Sequence, residues 1–235
     1  MIESTYILQI ETATPVCSVA VSKNGETVVL VEAEAPNIHA SHLTLFVAQA
    51  LEKAALTLND LCAVAVSMGP GSYTGLRIGV STAKGLCYAL DVPLIAVNTL
   101  EAMVHGFVSQ EGQSTTENRI VIPMIDARRM EVYMARYGSQ LQCLTETEAR
   151  VIDAYSFSGD AEKTNYTLFG TGADKFEALF ENDATVQVMV GFRNSASYLS
   201  KLAFRKFEQQ EFEDTVYFEP YYLKDFIATT PKKRH

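Results

Sequence analysis

The order in which strands and helices follow one another constrains this chain more than any single motif does. Residues 6–12 (YILQIET), 17–23 (CSVAVSK) and 26–34 (ETVVLVEAE) read as three consecutive strands, with Asn24-Gly25 marking a tight hairpin between the last two. A helix follows from near Ser41, its expected N-cap, with Leu43, Phe46, Val47, Ala50, Leu51 and Ala54 at helical spacing. Residues 62–68 (CAVAVSM) form a continuous apolar run whose length suits a strand buried on both faces of a sheet. A second helix runs from about Ser72 to Leu90 and is ended by Asp91 and Pro93. Residues 94–97 (LIAV) are another short buried strand, and a third helix starts at Thr99.

The second half repeats this order. Residues 120–125 (IVIPMI) and 131–137 (EVYMARY) read as strands, and 141–151 carries a weaker strand pattern. Strand 167–171 (TLFGT), short helix 173–180 (ADKFEALF) and strand 186–190 (VQVMV) follow. A helix over 195–207 turns Leu199, Leu202, Ala203 and Phe207 inward. The polar stretch 109–119 (SQEGQSTTENR) reads as a linker or loop. Only the element order repeats, not the sequence. A meander followed by alternating helices and strands, run through twice, predicts an α/β protein of two similar domains facing across a cleft. Each domain has a mixed sheet flanked by helices. The expected division is 1–104 and 105–235, with the end of the second part packing back on the first.

Composition narrows the class of function. With 235 residues, 48% of them hydrophobic and 20% charged, the chain can bury a core without disulfides or metals. No apolar run approaches the ~20 residues that cross a bilayer, and the N-terminal residues lack the basic flank and apolar stretch of a secretory signal. Cys17, Cys62, Cys87 and Cys143 are scattered, with no Cys-x-x-Cys pair, and are expected as buried reduced thiols of a cytoplasmic protein. A net charge of -9 repels phosphate backbones at long range and argues against nucleic-acid binding by this chain alone. The basic run Lys232, Lys233, Arg234 is too short to reverse that. Only His39, His42, His105 and His235 are available as imidazole ligands. His39 and His42 could share a helix face, but no nearby carboxylate completes a metal set, so a contact with a neighbouring segment is the expected role.

The most informative stretch is 69–79, GPGSYTGLRIG, which follows a buried strand and opens a helix. Gly69 and Gly71 permit a tight turn, Ser72 can cap the helix, and the free N–H groups of its first turn suit an anion, with Arg77 on the same rim. Two phosphate motifs fail against it. A Walker A loop needs Gly-Lys-Ser/Thr, and a dinucleotide fingerprint needs its third glycine one residue earlier than Gly75. A glycine-rich turn with a purely structural role is the simpler reading of the local pattern.

GPGSYTGLRIG closely resembles the signature of the bacterial TsaB family, also called YeaZ, and is carried by Gly69, Pro70, Gly71, Ser72, Tyr73, Thr74, Gly75 and Arg77. The resemblance extends along the chain. It takes in IETAT followed by CSVAV, His42-Leu43 leading the first long helix, and Val97-Asn98-Thr99-Leu100-Glu101. It continues through Asp126-Ala127-Arg128 before Glu131-Val132-Tyr133, to Pro220-Tyr221-Tyr222-Leu223. It implies the actin/Hsp70/sugar-kinase type of two-domain fold, which agrees with the repeated element order. It also implies a role in making threonylcarbamoyladenosine in tRNA. In that pathway the TsaB-type chain is the non-catalytic dimerisation subunit, a TsaD-like relative performs the transfer, and a TsaE-like ATPase is a third partner. Homodimerisation when alone and contact with tRNA only through the complex are further implications.

Departures from the catalytic pattern point the same way. Kinases and ATPases of this fold cradle phosphate on glycine-bearing hairpins, because backbone N–H groups must approach it closely. Here the first hairpin carries Glu11-Thr12-Ala13-Thr14-Pro15, and Pro15 has no N–H to offer. The second carries Asp126-Ala127-Arg128-Arg129-Met130 with no glycine. Glu11, Thr12, Asp126 and Arg128 are the residues expected at the cleft. Asp126, Arg128, Arg129 and Glu131 read first as solvated loop charges, and the Tyr217–Tyr222 cluster as packing against the sheet. The catalytic relatives hold a metal through His-x-x-x-His, where this chain has Thr99 and Met103, neither a replacement for imidazole. No catalytic residue, cofactor or metal is therefore expected. An independent enzyme of the same fold, a small-molecule kinase or glycoprotease-like metallopeptidase, is the competing reading, and a nucleotide-sensing regulator is a third.

The helix from Ser72 carries more small and apolar residues than one buried face needs: Ile78, Gly79, Thr82, Gly85 and Ala89 lie beside its main stripe. On the first helix Leu45 and Ala48 do the same, near His42. Such surplus is either a further core layer or an interaction surface. With the resemblance, it is expected as an interface shared by self-association and TsaD binding.

Overall fold

The computed structural model describes residues 4–111, 119–158 and 164–224. Strands β1 (Tyr6–Glu11), β2 (Val16–Lys23) and β3 (Glu26–Glu34) form the expected meander. The β2–β3 turn is made by Asn24 and Gly25, both with positive φ, the backbone state that this dipeptide adopts at least cost. Helix α1 (Ile38–Ala54) leads to β4 (Ala63–Gly69), and α2 (Tyr73–Leu90) to β5 (Leu94–Asn98). The first sheet has the order β3-β2-β1-β4-β5. β1 pairs antiparallel with β2 and parallel with β4, and β4 and β5 are parallel.

Helix α3 (Thr99–Glu111) then crosses to the second sheet of β6 (Arg119–Asp126), β7 (Glu131–Met134), β8 (Glu148–Val151), β9 (Asn165–Phe169) and β10 (Val186–Met189). Its order is β10-β9-β6-β7-β8. Read from its edge meander strand, β8-β7-β6-β9-β10, it repeats the first sheet with the same parallel and antiparallel pairings. A short helix α4 (Glu177–Phe180) joins β9 to β10, and α5 (Ser200–Glu208) closes the set. Two sheets of one topology bear out the duplicated α/β fold of the actin/Hsp70/sugar-kinase type.

The first sheet is covered on both faces, which is why its central strands read as apolar runs. On one face Leu8, Ile10, Val19, Val64 and Val66 pack with α1 and α2. On the other, Ile7, Ala65, Ile95 and Val97 meet Leu199, Leu202 and Ala203 at and before α5. Helix α3 lies between the sheets. Its Ala102 joins the first core, while Leu100, Met103, Val104 and Phe107 pack with Val121, Ile125 and Phe169 of the second. From α5 the chain returns along the first sheet, bridging Leu94 through Glu213 and Met68 through the Tyr221 N–H.

Several local expectations are corrected. Helix α1 begins at Ile38, not Ser41, because Ile38 is buried against the core and pulls the helix start toward it. Ser41 Oγ instead donates back to the Ile38 carbonyl. β7 stops at Met134, and in the 141–151 stretch only Glu148–Val151 is strand, since Tyr137 folds into single bridges to Val121 and Cys143. The expected linker is helical as far as Glu111 and strand at Arg119, and 112–118 lie outside the described residues. Cys17 and Cys87 are buried, and burial pushes both thiols up to about 11. Cys62 is half-buried and Cys143 exposed, contrary to expectation. Lys232, Lys233 and Arg234 also lie outside the described residues. No described helix is long and apolar enough to cross a membrane.

Candidate functional site

The signature loop sits where β4 ends and α2 begins, and its glycines serve close packing of backbone on backbone. A Cβ on Gly71 would stand 2.5 Å from the Ala13 carbonyl oxygen, and one on Gly75 would run into the Thr12 carbonyl oxygen. The Ser72 N–H donates to Ala13 O at 2.7 Å, so the loop and the β1–β2 turn are bonded face to face. Ser72 caps α2 as expected, its Oγ accepting from the Gly75 N–H at 3.3 Å. The Gly69 N–H donates to Thr99 Oγ1 at 3.1 Å. The N–H groups of Gly69, Ser72 and Gly75 are therefore engaged by the protein itself.

The rim of the loop is covered by the returning chain. Tyr222 packs against Tyr73 at a centroid distance of 4.9 Å with the rings tilted by 37°, and its hydroxyl accepts from Arg77 Nε at 3.2 Å. The Arg77 guanidinium also lies over the Tyr73 ring. Lys84 of α2 donates to the carbonyls of Val216 and Phe218. Of this cluster, Tyr222 thus packs on α2, Tyr221 is held to the first sheet through its N–H to the Met68 carbonyl, and Tyr217 is 81% exposed. Pro70 is buried and Thr74 exposed.

The residues expected at the cleft separate into two unlike groups. Glu11 and Thr12 are fully enclosed, not cleft-lining: Glu11 is 1% exposed. Glu11 Oε1 accepts from the Ala13 N–H at 2.6 Å. Burial pushes its carboxyl up to about 7, against the pull of the Ala13 N–H, the Ser67 and Asn194 side chains and the Thr12 N–H. Asp126 and Arg128 are exposed at the tip of the β6–β7 hairpin. Asp126 pairs with Lys175 Nζ at 2.5 Å, and Glu131 pairs with Lys224, so these acids are compensated and not simply solvated. Arg128 and Arg129 both have positive φ. Among the described residues no hydrogen bond or ion pair joins Glu11 or Thr12 to Asp126 or Arg128.

Thr99 and Met103 have taken structural duties. Thr99 is buried and accepts from Gly69, and Met103 is buried in the core between α3 and the second sheet. His39 and His42 do not share a site. His39 Nε2 lies 2.9 Å from Thr14 O and 3.1 Å from Val16 O, holding the β1–β2 turn against α1. His42 contacts Ser41 and the Phe46 ring. No group of three or more His, Cys, Asp or Glu side chains is placed to hold a metal among the described residues.

The outer faces of α1 and α2 are open. Leu45 is 53% exposed and Tyr88 88%, and His42, Ala48, Gly85 and Ala89 are exposed with them. Ile78 and Thr82 are half-buried beside them. Gly79 does not belong to this face: it is buried, and a Cβ there would run into Thr12 Oγ1. Spacing alone missed Lys175, Ser67 and Asn194. Ser67 was marked by being the polar member of an apolar run; the other two carried no signal.

Comparison with known proteins follows this geometry. The TsaB protein of Escherichia coli, a tRNA threonylcarbamoyladenosine biosynthesis protein, is 38% identical over 131 residues, 56% of this chain and 54% of that protein. The match thus spans about half the length of that relative. The Haemophilus influenzae protein of the same description is 27% identical over 96% of both chains. The solved structure of YeaZ from Pseudomonas aeruginosa superposes with a TM-score of 0.78 at 25% identity, covering 93% of this chain and all of that one. This chain belongs to the TsaB family. Residues 31–231 also match the family model described as TsaD: tRNA N6-adenosine threonylcarbamoyltransferase, so the chain falls within that wider family as well.

Proposed function

We propose that this chain acts in the biosynthesis of tRNA threonylcarbamoyladenosine as a subunit without an active site of its own. In this reading a TsaD-like chain performs the transfer, a TsaE-like ATPase acts with them, and tRNA is met through the complex. The observation that carries the reading is the fate of Thr99 and Met103. At the places where the transferases hold metal, this chain has a hydroxyl bonded to Gly69 and a thioether sealed in the core. The salt bridge on Asp126 and the enclosure of Glu11 support the same conclusion, since neither carboxylate is free to meet a phosphate-bound cation.

The docking surface is the open face of α1 and α2, with His42, Leu45, Ala48, Ile78, Thr82, Gly85 and Ala89. Small residues there allow a facing helix to approach toward the short end of the usual 8–10 Å range. The same face serves self-association when no partner is present. We assign the chain as two halves, 1–104 and 105–235, joined through α3. The chain acts in the cytoplasm, with no cofactor.

The test is reconstitution. Threonylcarbamoyl transfer to tRNA is measured with this chain alone, with a TsaD subunit alone, and with both plus TsaE. Transfer by this chain alone would overturn the reading. Gly85→Arg maps the surface: it is expected to abolish co-purification with TsaD, through steric overlap and a buried unpaired charge, with the circular dichroism spectrum unchanged. A folded mutant that binds TsaD as the parent does would place the interface elsewhere.

A further inference from the structure

The two sheets repeat one topology, so each half has a hairpin between its first two strands, and the two tips have opposite fates. In the first half the tip is used for packing. The Ala13 carbonyl accepts from the Ser72 N–H at 2.7 Å, and His39 Nε2 lies 2.9 Å from the Thr14 carbonyl oxygen. In the second half the tip between β6 and β7 runs from Asp126 to Met130, and Asp126, Arg128, Arg129 and Met130 are all exposed.

The second turn has a defined shape. The Ala127 N–H donates to the Glu131 carbonyl and the Glu131 N–H to the Arg128 carbonyl, both at 3.1 Å. The Arg128 N–H donates to Asp126 Oδ1 at 3.2 Å. Arg128 and Arg129 sit at φ 78° and 52°. Glycine and asparagine occupy this left-handed state at least cost. Turn preference therefore does not account for two arginines there, and neither does burial.

Their charges set them apart from their surroundings. Around the tip, cations and acids are matched: Lys175 pairs with Asp126 at 2.5 Å, Lys224 with Glu131, and Arg150 with Glu148 at 3.5 Å. Past β8, the Asp153 carboxylate accepts from the Tyr155 N–H and from Ser156 Oγ. Neither the Arg128 nor the Arg129 guanidinium makes a hydrogen bond or ion pair among the described residues. Apolar surface lies beside them. Met130 is 44% exposed, its carbonyl accepts from the Ile152 N–H at 2.9 Å, and Tyr155, three residues on, is 80% exposed.

A guanidinium with no carboxylate partner suits a phosphate, because its planar fork meets two oxygens of one group. An exposed ring near such cations suits a base. The net charge of -9 repels a polyanion approaching from afar. At physiological salt that repulsion is screened beyond about 8 Å. A phosphate already brought to the tip therefore meets the two guanidinium groups first.

We propose that the β6–β7 tip is a contact for the sugar–phosphate backbone of tRNA, with Arg128 and Arg129 each taking a phosphate and Tyr155 offering its ring to an unpaired base. The inference rests on the proposed role in tRNA modification and deepens it: within the complex, this chain supplies part of the grip on the substrate.

The test uses the assembled complex of this chain with a TsaD subunit and measures binding, not transfer. Anisotropy of labelled, unmodified tRNA is followed across a salt series. Arg128→Gln combined with Arg129→Gln is expected to weaken binding roughly tenfold near 0.1 M salt and to make the log–log salt dependence shallower by about 1.5, as for two lost phosphate contacts. Arg128→Lys with Arg129→Lys keeps the charges and should recover most of the affinity. Tyr155→Ala should weaken binding severalfold without changing the slope. Lys23→Gln with Lys201→Gln removes the same charge from exposed positions of the first half and should leave the slope at the parent's value. A parent complex that binds tRNA while the double-glutamine variant at 128 and 129 binds it equally well overturns the tip contact alone. So does an equal loss in the Lys23 and Lys201 variant, or loss of TsaD from the 128 and 129 variant on gel filtration, which would make the tip a protein contact. A parent complex that assembles but does not bind tRNA overturns the functional reading, and this inference with it.

Discussion

Two glycines of α2 should respond to the same substitution in opposite directions. Gly85 is exposed, and a Cβ added there meets nothing within 4 Å. Gly85→Ala therefore collects the helix-propensity difference alone, about 1 kcal/mol in favour of the folded chain. For a protein of this size that corresponds to a rise in Tm of roughly 2–4 °C. Gly79→Ala collects the same propensity gain, but its methyl is driven into Thr12 Oγ1. Thr12 is completely buried beneath the signature loop and has nowhere to turn. Overpacking a tight site costs about 1–3 kcal/mol, and the backbone contact of Gly75 with Thr12 O resists relaxation from the other side. The net result for Gly79→Ala is a loss of about 1 kcal/mol. Urea titration of parent and variants at a concentration low enough to keep the chain monomeric, followed by circular dichroism, measures both. Destabilisation by Gly85→Ala, or a Gly79→Ala variant as stable as the parent, would refute the assignment of the two faces of α2.

Two further expectations concern the signature loop. Thr99→Val removes the acceptor of the buried Gly69 N–H and is expected to cost about 1–3 kcal/mol, with Thr99→Ser recovering most of it; denaturant midpoints check this. Lys84→Met releases the carbonyls of Val216 and Phe218, so limited proteolysis between Asp214 and Tyr222 should accelerate severalfold while the helical signal stays unchanged.

What the sequence determined is local or periodic. Asn24-Gly25 specified its hairpin because both residues reach positive φ cheaply, and the structure has it there. The apolar runs at β4 and β5 announced strands covered on both faces, and the repeated order of elements announced two sheets of one topology. Ser72 marked the start of α2 because a hydroxyl can take an orphan N–H of the first turn. The likeness to the TsaB family rested on short contiguous segments spread along the chain, GPGSYTGLRIG first among them.

What tertiary structure decided are the pairings across distance. The purpose of Gly71 and Gly75 depends on Ala13 and Thr12 lying against them, and that contact is set by the closing of the first sheet. α1 starts at Ile38 because burial of one isoleucine outweighs the capping preference of Ser41. The expected cleft residues parted because Glu11 ends a central strand and is enclosed by Ser67 and Asn194, while Asp126 ends a strand at an open hairpin and finds Lys175. A sequence shows that a carboxylate is present. Whether it stays charged depends on which groups the fold carries to within hydrogen-bond reach, and those come from segments with no sequence relation to it.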